Sequence, residues 1–377
     1  MKTPHSRHHI PHFALALAVI AASAAPLAAR TLYVTPAGAG LKDGSSWANA
    51  LAGYGGLRAV VASGDAVRFA VGDYPVSNEL NAANFASLEL RGGYAGTDDI
   101  PAAKAASGET RLAVPSGIVS RHLRASKTTL VLEDLVFTGG SAAAKGYGCG
   151  LHLTTCTTAI TNCVFGANGK SESAAQSRLH GGAIHASGGS LDIFGSCFTN
   201  NFFSATADNV WFDGAALYAS AVALTIADTI FDGNTLSDTI KPCQGAALFL
   251  TGGNAFIDGC TFTTNTLYGN HNGNIHTGAA IHAAGVTGLI VRDSYFAGNV
   301  SKCRSQVSGG LICLSGATEA TTMRLERCVF KANGPTADNQ GMCASISLNQ
   351  GELEMEHCLF AELSLPRSGS FKRAIDI

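Results

Sequence analysis

Gly278-Ala-Ala-Ile-His-Ala-Ala-Gly-Val-Thr-Gly-Leu-Ile-Val-Arg-Asp-Ser-Tyr-Phe296-Ala-Gly-Asn299 contains two blocks that recur down the chain at a steady interval. The closing block, Phe-x-x-Asn, stands at Phe165/Asn168, Phe198/Asn201, Phe231/Asn234, Phe262/Asn265, Phe296/Asn299 and Phe330/Asn333, 31 to 34 residues apart. Phe137 and Phe360 keep the rhythm without the Asn. The opening block reads Gly148-Cys-Gly-Leu-His-Leu, Gly181-Gly-Ala-Ile-His-Ala, Gly214-Ala-Ala-Leu-Tyr-Ala, Gly245-Ala-Ala-Leu-Phe-Leu, Gly278-Ala-Ala-Ile-His-Ala and Gly309-Gly-Leu-Ile-Cys-Leu. A period of this length marks one supersecondary unit stacked on copies of itself.

Between the blocks, apolar residues fall at every other position, as in Leu224-Thr-Ile-Ala-Asp-Thr-Ile-Phe231 and Met323-Arg-Leu-Glu-Arg-Cys-Val-Phe330. That alternation reads as short strands with one buried face, and no 3.6-residue stripe competes with it. Three residues before each Phe stand Asp134, Asn162, Gly195, Asp228, Gly259, Asp293, Arg327 and His357. Six of these eight tolerate a left-handed backbone, which predicts a sharp bend between strands. The Asn three after the Phe is placed to bond the same Asn one rung away. Stacked Phe rings, each contributing roughly 1.5–3 kcal/mol on burial, supply much of the core. The expected fold is an all-β, right-handed parallel β-helix, a three-sided solenoid with an N-terminal cap.

The paired Gly-Gly-Ala-Ile and Phe-x-x-Asn blocks resemble the repeat of the polymorphic outer-membrane proteins and related right-handed β-helix repeat proteins of the pectin-lyase-like superfamily, over about 148–363. Leu32-Tyr-Val-Thr, Asp43-Gly-Ser-Ser-Trp-Ala-Asn-Ala and Leu90-Arg-Gly-Gly-Tyr-Ala-Gly also resemble the start of many such proteins. The resemblance implies export, surface placement and adhesion. It carries over no catalytic residue.

Domain expectations follow from where the repeat begins. Residues 1–29 read as a secretory leader: Lys2 and Arg7, an apolar run from Phe13 to Ala22, then small residues at a processing site. That run is too short to span a bilayer, so no transmembrane segment is expected. Residues 30–114 read as a cap with irregular first rungs, and 115–377 as the repeats. The chain closes on Arg373-Ala-Ile-Asp-Ile377, the start of another rung, which suggests a shortened protein or a protein partner docked there.

Composition excludes some functions. Charged residues make up only 14% of the chain, and without the leader 23 Lys and Arg face 27 acids, so nothing supports nucleic-acid binding. Cys163, Cys260, Cys328 and Cys358 fall in a small inward column where Cys acts as a compact apolar residue. Cys328 and Cys358 lie on adjacent rungs within bridging reach, while Cys243 and Cys303 fall in loops. No Cys-x-x-Cys occurs, and neither metal nor cofactor is expected.

The period exceeds what three short strands need. Each rung therefore carries an insertion, always between Phe-x-x-Asn and the next Gly block, at 169–180, 202–213, 235–244, 266–277, 300–308 and 334–342. Insertions at one corner cluster on one side, the natural binding face. The insertions hold His180, Asp208, Trp211, Lys241, His271, His276, Lys302, Arg304 and Asp338. In the Gly-block strand an outward column runs His152, His185, Tyr218, Phe249, His282, Cys313, Ser347. The binding residues expected are Trp211, His180, His185, Tyr218, His276 and His282, with Trp211 as a sugar-stacking platform. No catalytic residue is assigned. The function expected is an exported, non-catalytic β-helix binding polysaccharides or cell-surface glycans, extracellular, on the outer membrane or in the periplasm. The alternatives are a polysaccharide lyase, glycoside hydrolase or epimerase acting on acidic polysaccharide, and a structural surface spacer. Convergence of three or more of Asp98, Asp99, His180, Asp208, His276, Lys302 and Asp338 in one cleft would favour the enzyme.

Overall fold

The computed structural model describes residues 30–142, 147–173, 178–205, 210–238, 243–269, 276–303, 310–318, 321–335, 345–348, 350–362 and 375–376. The leader, Asp208, Lys241, His271, Arg304 and Asp338 lie outside them, as does the side chain of Lys302.

Among the described residues every ladder between the coil's strands is parallel and joins one rung to the next. One side of the coil is a ten-stranded sheet of short strands, among them Val164–Gly166, Cys197–Thr199, Ile230–Asp232 and Thr261–Thr263, each carrying its Phe at the centre. The other two sides merge into a twenty-stranded sheet, because Leu151–Thr161 and Ile184–Phe194 run unbroken through both. At the N-terminal end, Thr31–Thr35 pairs with Ala66–Ala70, and the helix Gly53–Val60 buries Tyr54 and Leu57 against the coil. Strands from Gly72 to Tyr94 already continue both large sheets.

The Phe column is a single stack. From Phe137 to Phe360 successive ring centroids lie 4.6–5.0 Å apart with planes 3–18° from parallel. In-register parallel strands fix that spacing. The bend column takes positive φ at all eight positions, including Arg327 and His357. The Asn column forms a continuous ladder. Asn201 Oδ1 accepts from Asn168 N and Nδ2 at 3.0 and 3.1 Å, and the same pair of bonds repeats through Asn234, Asn265, Asn299 and Asn333. It satisfies the bend amides that the strand ladders leave over. In the small inward column, Ser196 and Ser294 hydroxyls accept the N–H of Cys163 and Cys260. Cys328 and Cys358 are free thiols on adjacent rungs, and Cys243 is buried in the strand Cys243–Gln244.

The insertions depart from the loops expected. Gly169–Glu172, Phe202–Ala205, Thr235–Asp238, Thr266–Gly269, Val300–Cys303 and Gly334–Pro335 form a six-stranded parallel sheet. Arg178–His180, Trp211–Asp213 and Cys243–Gln244 form a three-stranded one. Phe203, Leu236, Leu267, Leu179 and Phe212 point inward and close a second apolar core over Cys149, Ala215, Ala246 and Ala279 of the Gly blocks. The coil therefore has a second lobe along one side, and the column expected to face solvent lies beneath its margin.

Candidate functional site

The first glycine of each Gly block turns the chain back on itself. Gly148, Gly181, Gly214, Gly245 and Gly278 take φ between +57° and +69°, and a Cβ on Gly181 would stand 2.0 Å from the Ile184 carbonyl oxygen. Only glycine fits a left-handed position packed that closely. Gly181→Ala is expected to cost about 2–4 kcal/mol, from backbone strain plus displacement of the Ile184 carbonyl, read as a lowered denaturant midpoint.

This turn sets two columns face to face. The residue before each glycine (Tyr147, His180, Asp213, Gln244, Thr277) pairs in register along the lobe. The residue four after it (His152, His185, Tyr218, Phe249, His282) pairs in register along the coil. Their side chains meet in a seam. Tyr147, His185, Tyr218, Phe249 and His282 stack with centroids 4.9–5.2 Å apart. His180 lies edge-on to Tyr218 at 4.4 Å, and His152 edge-on to His185 at 5.0 Å.

The two ends of the seam differ. Toward the C-terminus it is closed: His282 is 2% exposed, with Thr277 Oγ1 2.6 Å from Nδ1 and Ser315 Oγ 3.1 Å from Nε2. His276 is 1% exposed; its Nδ1 accepts the Cys243 N–H at 3.1 Å, and its Nε2 is buried against Gly269 and has no hydrogen-bond partner among the described residues. Both were expected at the surface and are instead buried, because the lobe covers them. Toward the N-terminus the seam is half open, with Tyr147, His152, His185 and Tyr218 each partly exposed. There, the Nδ1 atoms of His180 and His185 are buried without a hydrogen-bond partner. His180 Nδ1 lies 3.1 Å from Asp213 Oδ2, in an orientation that makes no hydrogen bond. Buried polar atoms are rarely left unpaired, so this pair needs an explanation.

Electrostatics follow the same gradient. Burial pushes the His152 imidazole down to about 4, helped by Arg121 and Arg124. Burial, then His152 and His180, pushes His185 down to about 3. Burial raises the Tyr218 phenol, with Asp213 adding to it. Arg121 Nε donates to the Tyr147 carbonyl at 2.8 Å and its guanidinium lies 3.3 Å from Glu79. Arg124, the cross-strand neighbour of His152, is exposed and has no carboxylate partner among the described residues. Among the described residues no group of three His, Cys, Asp or Glu side chains is arranged to hold a metal.

The structure thus joins His180, His185 and Tyr218 in one cluster and leaves His276 and His282 in the closed seam. Trp211 sits half-buried on the lobe beside Arg178, whose guanidinium lies over its ring at 5.2 Å. One indole face is therefore covered, and in the stack ring faces are covered by neighbouring rings. The stacked rings can offer a ligand mainly edges, while Trp211 has Arg178 on one face. Asp98 is elsewhere, its carboxylate accepting the Trp47 and Ala48 N–H groups in the cap. Tyr147, Asp213 and Arg124 were not singled out by sequence. The signal for the first two was their shared position just ahead of a Gly block.

Residues 204–364 match the family described as the right-handed β-helix region. No curated protein matches the sequence. Among solved structures, the chain is similar to the pectate lyase Pel9A at 10% identity, covering 90% of this chain and 78% of that one with a TM-score of 0.38. A PL6 alginate lyase in complex with a trisaccharide aligns at 11% identity over 88% and 85% of the two chains, TM-score 0.31. The Streptococcus pneumoniae surface protein and adhesin PfbA aligns at 10% identity over 83% and 92%, TM-score 0.19. At these levels the likenesses carry nothing about activity into this chain.

Proposed function

We propose that this protein is an exported, non-catalytic β-helix that binds polysaccharide or cell-surface glycans at the open end of the seam. The observation that supports this reading is the pair of orphaned Nδ1 atoms on His180 and His185 in a half-open cluster of phenols and imidazoles. A buried polar atom without a partner costs about 1–3 kcal/mol, and a ligand hydroxyl that pairs with it recovers that loss. Glycans supply hydroxyls at a spacing of a few ångströms, and the ring edges here present N–H, O–H and lone-pair groups at a rung spacing of about 4.8 Å. Among the described residues, the two acids that a hydrolase requires are not gathered beside the cluster: Asp213 faces His180, and Asp98 serves the cap.

A glycan array followed by titration of the hits tests this. His180→Ala with His185→Ala is expected to weaken binding at least ~30-fold, the loss of two buried hydrogen bonds. Tyr295→Ala, on the exposed face of the ten-stranded sheet, is expected to leave binding unchanged. Absence of any array hit, or equal binding by the double variant folded as the parent, would remove the reading. Formation of unsaturated or hydrolysed product from a bound polysaccharide would refute its non-catalytic part.

A further inference from the structure

We propose that the outer face of the ten-stranded sheet docks a second copy of this chain. The two coils lie side by side and run in opposite directions about a two-fold axis. That axis lies along the strands, between Thr261–Thr263 and Tyr295–Ala297. The seam and its ligand take no part in this contact.

Each Phe-bearing strand of this sheet gives its Phe to the core and turns the residue on either side outward. The column ahead of the Phe runs in register from Val136 and Val164 through Ile230 and Tyr295 to Val329 and Leu359. Ile230, Tyr295 and Leu359 are 45%, 38% and 57% exposed. The column behind the Phe, from Thr138 to Ala361, is Thr, Gly or Ala except at Asp232 and Lys331. Seven strand spacings make this ridge roughly 34 Å long. It ends where Arg111 and Asp73 stand on the two strands that precede it. On the adjoining sheet outward charges pair within the chain, as Asp258 does with Arg292 at 2.8 Å. An exposed, nearly uncharged row of this length has the composition of an interface core, in which charged side chains are depleted.

The two charges decide what covers the face and in which direction. A two-fold contact brings the same patch of both copies together. With the axis along the coil, Asp232 meets the second copy's Ile230 and Lys331 meets its Val329, each charge buried against an apolar side chain. With the axis along the strands, each column meets itself in reversed rung order. Placed between the Thr261 and Tyr295 strands, that axis sets Asp232 against the second copy's Lys331, and does so twice. Shifted by half a spacing either way, it leaves both charges facing Thr or Ala. The same placement sets Ile230 on Val329, Leu359 on Cys197 and Tyr295 on Thr261, a larger side chain on a smaller one each time. Within its own chain Asp232 Oδ1 accepts from the Thr263 and Thr264 hydroxyls at 2.6 and 2.8 Å, and Lys331 Nζ lies 3.8 Å from Glu362. A carboxylate has about four lone-pair sites and an ammonium three donors, so each charge has room for the other. The overlap spans six strands and buries on the order of 400 Å² on each copy, half of a standard interface, which makes the dimer weak and reversible.

Sedimentation equilibrium of the full chain over about 5–500 µM tests this, with circular dichroism following the fold. The expected result is a reversible monomer–dimer equilibrium. Asp232→Lys and Lys331→Asp are each expected to weaken association at least ~10-fold, because each sets like charges face to face twice. The double variant Asp232→Lys with Lys331→Asp is expected to regain the parent's association to within about 3-fold. An equimolar mixture of the two single variants is expected to form mixed dimers, since opposite charges then meet at both positions. Tyr268→Ala, exposed on the lobe, is expected to change nothing. Should Asp232→Lys lose its fold along with its hydroxyl bonds, Ile230→Lys joins Lys331→Asp at an exposed position and is expected to cost at least ~10-fold as well. A chain that stays monomeric at the highest concentration overturns the inference. So does a dimer that the single charge variants leave intact, or one that the swapped pair fails to restore.

Discussion

Asn234→Leu is expected to lower the unfolding free energy by about 3–6 kcal/mol, the largest loss from any single substitution considered for this fold. Asn234 is fully buried at the middle of the ladder. Its Oδ1 accepts from Asn201 N and Nδ2 at 3.1 and 3.0 Å, and its Nδ2 donates to the Phe198 carbonyl and Asn265 Oδ1, both at 2.9 Å. Leucine fills a similar volume but leaves the Asn201 N–H, one Asn201 amide hydrogen and the Phe198 carbonyl without these partners. Each such orphan costs roughly 1–3 kcal/mol, far more than the net worth of a hydrogen bond in water. Leucine's own burial offsets only part of that. The exposed Asn254→Ala on a neighbouring strand is expected to change stability by less than about 0.5 kcal/mol. Urea unfolding of the two variants side by side decides the matter. A cost below about 1 kcal/mol for Asn234→Leu would show that the ladder is not what holds the bends.

The second large effect is loss of stability in mild acid. Burial holds His122 and His276 at about 4 and His282 at about 3. His122 is also fully buried, Nε2 lying 2.9 Å from the Leu112 carbonyl oxygen and its ring edge-on to Phe137. Above about pH 6.5 these imidazoles are neutral in both folded and unfolded chains and contribute nothing to the pH dependence. Below it, the unfolded chain takes up protons that the folded chain refuses. Stability therefore falls as pH drops from about 6.5 toward 4, by up to about 1.4 kcal/mol per pH unit for each histidine. Three such residues give a slope near 4 kcal/mol per unit, before any paired carboxylate begins to titrate. Urea midpoints between about pH 7.5 and 5 measure it; a flat profile would mean these rings are hydrated in the folded chain.

Much of this architecture could be read from residues alone, for a physical reason. Stacking forces each column into one environment repeated rung after rung, so Phe165 through Phe330, the Asn column and the bend residues each declare themselves by recurrence. Even Arg327 and His357, poor choices for a left-handed backbone, follow their column. The lobe was not legible. Its strands are two to four residues long and many offer one inward side chain, such as Phe203, Leu236 or Leu179, too few to show an alternation. Alternation also tells that a strand has two faces, but not that chain from the same rung covers the outer one. His282 and Phe249 were therefore placed in solvent when they are buried. The cluster was half visible: His185 and Tyr218 lie in a recurring column, while Tyr147 and Asp213 reach it through a turn closed only in three dimensions.

The asparagine ladder also gives the interior a polarity. Every amide from Asn168 to Asn299 gives one N–H to the Asn of the following rung and the other to a Phe carbonyl of the preceding rung, while its Oδ1 accepts from the preceding rung. The Asn-to-Asn bonds all run in one sense along the buried column, and each polarises the next. Reversing one amide would set oxygen against oxygen on one side and hydrogen against hydrogen on the other, and would turn its NH2 toward a backbone N–H and its oxygen toward a Phe carbonyl, so the orientation is fixed at every rung. Neighbouring turns are thereby locked in a common sense, and a copy of this coil threaded backwards would have no way to join it.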